Sequence, residues 1–119
     1  MSNRNLTTKE AFELAVKNHQ KNNIKEAQNF YSKILEIDPN FANAHYNLGN
    51  IFKELGENQK AKECYEKVIK INPNHADAHY NFGNIFKELG EHQKAKECYE
   101  KAIKIDPNFA NALNNLGVI

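Results

Sequence analysis

The sequence predicts an all-α protein, a right-handed superhelical solenoid of helix-turn-helix units, and three observations predict it. Residues 42–75 and 76–109 differ only at Asn43/Asp77, Leu48/Phe82, Asn58/His92, Val68/Ala102, Asn72/Asp106 and His75/Phe109, so they agree at 28 of 34 positions. A fixed period of that length is the mark of stacked repeats. Within each unit two apolar runs recur at three- and four-residue steps, the spacing of one helical face. Glycine then proline close the two runs in turn, as helix stops do.

The elements follow in order. Residues 1–7 are an N-terminal segment, and Thr7 to Glu10 offers a capping box for the first helix. Residues 8–41 form a first, looser unit with Ala15, Ala27, Tyr31, Ile34 and Pro39 in register. Residues 42–75 are the second unit. Ala44, Leu48, Phe52 and Leu55 share one face, Gly56 ends that helix, and Ala61, Cys64, Tyr65, Val68, Ile69 and Ile71 run to Asn72-Pro73. Residues 76–109 repeat this, and 110–119 begin the first helix of a truncated fourth unit. Asn40, Asn74 and Asn108 stand where N-caps are expected. Glu63 with Lys67, and Glu97 with Lys101, are expected as i, i+4 surface pairs.

Gly49 inside a helix costs about 1 kcal/mol relative to alanine, so its place there predicts a close approach of the paired helix. Ala61 and Ala95 are expected to face the helix glycines. One hairpin leaves an apolar side open, and stacking on neighbours covers it.

Composition narrows the function. In 119 residues, 16 Lys and Arg against 15 Asp and Glu leave a net charge of +1 with the signs interleaved, which is no footprint for nucleic acid. A mean hydropathy of -0.77 and the lack of a long apolar run argue against a membrane span, and no targeting segment opens the chain, so a cytoplasmic location is expected. Cys64 and Cys98 hold equivalent places in successive units, roughly 10 Å apart by helix-packing distances, too far for a disulfide. His45 and His79 lie beside core positions as neutral, partly buried rings, and no Cys/His or HExxH cluster suggests a metal. Ser2 and Ser32 are the only serines and no glycine-rich phosphate loop occurs, so neither enzyme activity nor a cofactor is expected.

With these residues in place the chain resembles the tetratricopeptide repeat family. Leu48, Gly49, Phe52, Ala61, Tyr65 and Pro73 match its signature in the second unit, and Phe82, Gly83, Phe86, Ala95, Tyr99 and Pro107 in the third. His45 and His79 depart from the family's tryptophan, and the first unit has Ala11, Asn18 and Asn22 at signature places. The resemblance implies that first helices line a concave wall and that the ligand is a polypeptide or protein. One stripe of that wall is Asn43, Asn47, Asn50 and Glu54, repeated as Asp77, Asn81, Asn84 and Glu88 and extended by Asn115; Tyr46 and Lys53, with Tyr80 and Lys87, adjoin it.

A carboxamide can donate to a peptide C=O and accept from its N–H at once, so stacked asparagines form a ladder for an extended backbone. This arrangement is similar to the arm of O-linked N-acetylglucosamine transferase, which implies a substrate-recruiting arm as one alternative. The family's carboxylate clamp for chaperone tails is not expected. Phe12, Val16, Asp77 and Asn81 occupy its positions, and only Asn47 matches. A further alternative is self-assembly, a homo-oligomer built through the uncovered half-unit at residues 110–119.

Overall fold

The computed structural model describes residues 6–109 and Asn114, and among them six helices form three antiparallel hairpins. These are α1 (Thr8–Gln20) with α2 (Ile24–Ile37), α3 (Ala42–Glu54) with α4 (Asn58–Ile71), and α5 (Ala76–Glu88) with α6 (His92–Ile105). Each second helix packs on the first helix of the next hairpin, α2 on α3 and α4 on α5. The stack measures 52 × 25 × 21 Å, elongated as a solenoid must be. Of equivalent helices, α3 reaches α5 directly, as neighbouring first helices on one wall do. No described helix is long and apolar enough to cross a membrane.

The stops are those the sequence marks. Gly56 and Gly90 adopt φ of +75° and +78°, and Asn22 takes the same left-handed place at +64° in the first unit. At each of these ends the next amide reaches back five residues, Asn23 to Asn18, Glu57 to Phe52 and Glu91 to Phe86, all at 2.8 Å, which satisfies carbonyls left open by the last turn. The Thr7–Glu10 capping box forms in both directions.

The starts differ from expectation. Phe41 and His75, not Asn40 and Asn74, occupy the N-cap positions of α3 and α5, and His75 Nδ1 accepts from the Ala78 amide at 3.1 Å. Asn40 and Asn74 instead sit in Asx turns, where their backbone amides donate to the side chains of Asp38 and Asn72; Asn108 makes the same bond to Asp106, and the helix it is expected to cap lies outside the described residues. The expected Glu–Lys pairs also fall elsewhere. Gln59 donates to Glu63 and Gln93 to Glu97, while Lys60–Glu57 and Lys94–Glu91 pair at 3.2 Å.

The core confirms the close approach at Gly49 and corrects its partner. A Cβ on Gly49 would lie 2.9 Å from Tyr65 Cε1 and 3.0 Å from Cys64 Cβ. Ala61 packs instead with Tyr65 and Ile85 across the next junction. Tyr31, Tyr65 and Tyr99, one per hairpin, are fully buried wedges between paired helices. Leu55 and Ile71, expected in the core, are 48% and 36% exposed, because each ends its helix beyond the reach of the neighbouring one.

Candidate functional site

The inner wall is made by α1, α3 and α5, and its side chains divide by what holds them. Asn43, Glu54, Asp77 and Glu88 stand exposed, with Glu54 paired to His19 of the first hairpin at 3.0 Å. Asn47, Asn50, Lys53, Asn84 and Lys87 are half-buried. Lys53, Asn84, Lys87 and Glu88 line a hollow of about 470 Å³ where α3 and α5 end. Asn115 lies outside the described residues.

Asn81 is the correction. It is 8% exposed and sits within the junction of the second and third hairpins. Its amide donates to Tyr46 Oη and Asn50 Oδ1, both at 3.1 Å, and its carbonyl accepts from Lys53 Nζ at 3.2 Å. Tyr65 Oη donates to the same Asn50 oxygen at 2.5 Å. Lys53, Asn81, Asn50 and Tyr65 therefore form a polar relay from the rim of the wall to the buried tyrosine. Burial raises the hydroxyl pKa of Tyr65 and Tyr46, which keeps Tyr65 a neutral donor in this chain. The third hairpin begins the same pattern, with Tyr99 Oη donating to Asn84 at 2.6 Å.

Asn47 holds the position of Asn81 one unit earlier and meets different neighbours. It donates to Tyr31 Oη at 3.0 Å, but the residues equivalent to Tyr46 and Asn50 are Phe12 and Val16, which accept nothing. Its carbonyl oxygen and second N–H carry no hydrogen bond among the described residues. Tyr46 and Tyr80 are less open than a groove lining requires. Tyr46 stacks toward Tyr65 and His75, and Tyr80 toward Tyr99 and Phe109, so both rings serve the junctions while keeping one edge in solvent. The period puts these residues in register, but it does not show that neighbouring units would consume their amides.

The two histidines differ in burial. His79 is 4% exposed and shares its Nε2 with the Pro73 carbonyl at 2.8 Å; burial lowers its pKa. His45 makes the matching contact to Pro39 at 2.7 Å from a half-buried place. Cys64 and Cys98 are free and buried, with thiols pushed up to about 11 by desolvation. Among the described residues no group of His, Cys, Asp or Glu is placed to hold a metal ion.

The stacked hairpins and signature residues define a class, the helical-repeat proteins that present a wall of first helices. The chain belongs to the tetratricopeptide repeat family, whose model matches residues 42–75 and 76–109, with a second TPR repeat model matching 18–56. No match to a curated protein reaches significance. The crystal structure of MamA is similar at a TM-score of 0.89 and 30% identity, over 94% of this chain and 66% of that one. YrrB, described as a TPR protein with an unusual peptide-binding site, is similar at 0.84 and 25%, over 93% and 57%. The Thermobaculum terrenum O-GlcNAc transferase shares the fold at 0.85 and 22%, over 93% of this chain and 21% of that one. The chain thus spans just under two thirds of MamA and less of the other two.

Proposed function

We propose that this chain is a protein-interaction module that holds an extended peptide along the inner wall of α1, α3 and α5 and catalyses nothing itself. The observation that carries the reading is Asn47. A half-spent carboxamide on the wall offers one donor and one acceptor, the pair that a peptide C=O and N–H would complete. Exposed Asn43 stands one turn before it, and the hollow beside Lys53 and Asn84 continues the path toward Lys87 and Glu88. A ladder on this wall is therefore uneven, with Asn47 as a contact and Asn81 as framework. The similarity to YrrB, with its peptide-binding site, supports the same class of ligand.

The wall's lysines alternate with Glu54 and Glu88, which favours a polypeptide over nucleic acid. Two free thiols suit a reducing compartment, and we place the protein in the cytoplasm. The test is binding to a diverse immobilised peptide set by the native chain, by an Asn43→Ala/Asn47→Ala variant, and by Asn81→Ala, with folding followed by circular dichroism. The reading expects the double variant to stay folded and lose binding to many unrelated peptides together. Unchanged binding by that folded variant would overturn it.

A further inference from the structure

Among the described residues a sizeable cleft lies on the outer side. This cleft, of about 780 Å³, runs along α4, floored by Ile69, Pro73 and Phe82, and an adjoining hollow of about 300 Å³ shares Ile69 and Pro73 and reaches α6. Its charges are sorted along its length. Glu63 and Glu66 stand toward the start of α4, Lys67 follows Glu66, Lys70 lies beside the proline, and Lys101 and Lys104 rim the far hollow. An occupant that fits carries an aliphatic side chain between carboxylates, with a cation about one helical turn away.

The same chain exposes such a segment. Ile37 is 68% exposed, the most exposed large apolar residue described, and exposed Glu36 and Asp38 flank it. Lys33, also exposed, lies one turn before Ile37 on α2. Its counterparts do not reproduce the pattern: Ile71 follows Lys70, and Ile105 follows Lys104. We propose that a second copy of this chain docks Ile37 between Ile69 and Phe82, with Glu36 and Asp38 toward the lysines and Lys33 toward Glu63 and Glu66. The two patches differ, so the contact is heterologous and extends copy by copy instead of closing as a two-fold pair. A contact this small is a weak, transient one. It is separate from the inner wall, so peptide binding and self-docking succeed or fail independently.

Sedimentation velocity of the full chain from about 10 μM to about 1 mM, the range of weak association, tests it. The native chain is expected to gain mass with concentration and with falling salt. Ile37→Asp, and separately Lys70→Glu/Lys104→Glu, should each weaken association at least tenfold; both alter exposed side chains, and circular dichroism verifies the fold. Mixing the two variants should yield 1:1 pairs that grow no further, since one keeps the cleft and the other keeps the knob. A native chain that stays monomeric throughout overturns the proposal. So does association that neither variant weakens, which would place the contact elsewhere, residues 110–119 included. A mixture that forms no pairs also overturns it. Loss of peptide binding in the folded Ile37→Asp variant would overturn the separation of the two sites.

Discussion

Adding one methyl group at Gly83 tests the packing logic of the whole stack. Alanine is the better helix former by about 1 kcal/mol, so propensity alone predicts that Gly83→Ala stabilises α5. The space predicts the reverse. The new Cβ would lie 2.7 Å from Tyr99 Cε1 and 2.9 Å from Tyr99 Cδ1, closer than carbon atoms approach without something moving. Tyr99 is fully buried and its hydroxyl is tied to Asn84, so the ring cannot swing aside without losing that bond. Overpacking of this kind costs about 1–3 kcal/mol, and two sub-3 Å contacts place Gly83 near the top of the range. Offset by the propensity gain, the net loss is about 2 kcal/mol. At Gly49, where the contacts are 2.9, 3.0 and 3.2 Å, the loss is about 1 kcal/mol. Urea unfolding followed at 222 nm reads both as lowered midpoints with an unchanged slope, about 1 M lower for Gly83→Ala. A Gly83→Ala protein that unfolds at the same or higher urea would refute the reasoning.

Two further outcomes follow from titrating groups. His79 has a lowered pKa in the folded state, so folding binds fewer protons there; its contribution is intact above the unfolded value near 6.5 and is lost as pH falls from there through the folded value. The urea midpoint should drop between pH 7.5 and 5.5, and His79→Gln should flatten that slope; an equal slope in the variant would assign the effect to another group. With Cys64 and Cys98 raised to about 11, a disulfide reagent at pH 8 should label neither thiol until denaturant opens the fold, and rapid native labelling would contradict their burial.

Much of this architecture is legible in the residues themselves. The period, the paired helices and the stops depend on local chemistry: Gly56 and Gly90 supply left-handed backbone, and Thr7 with Glu10 closes a capping box. What resists reading depends on the partner across a crossing. Helical spacing puts Gly49 on a packed face, but the wedge it admits is Tyr65, chosen by the crossing of α3 over α4. Asparagine at 40 and 74 has the right chemistry for a cap, yet the turns that Asp38 and Asn72 close on their backbone amides put the N-cap one residue later, at Phe41 and His75. The wall stripe follows from spacing alone, whereas the burial of Asn81 requires Tyr46, Asn50 and Lys53 from the preceding unit to close over it.

The polar relay also grades the seams of the stack. Between the second and third hairpins, directional bonds through Asn81 fix the register as a key fixes a shaft. Between the first and second, Phe12 and Val16 stand where those acceptors would be, so Asn47 keeps only its bond to Tyr31, and an apolar cluster with the His19–Glu54 pair completes the joint. In a linear array each unit contributes its own stability plus that of its joints, so unlike joints need not open together. The expected outcome is that amide protons of α1 and α2 exchange before those of α4 and α5, with the keyed pair the last to open.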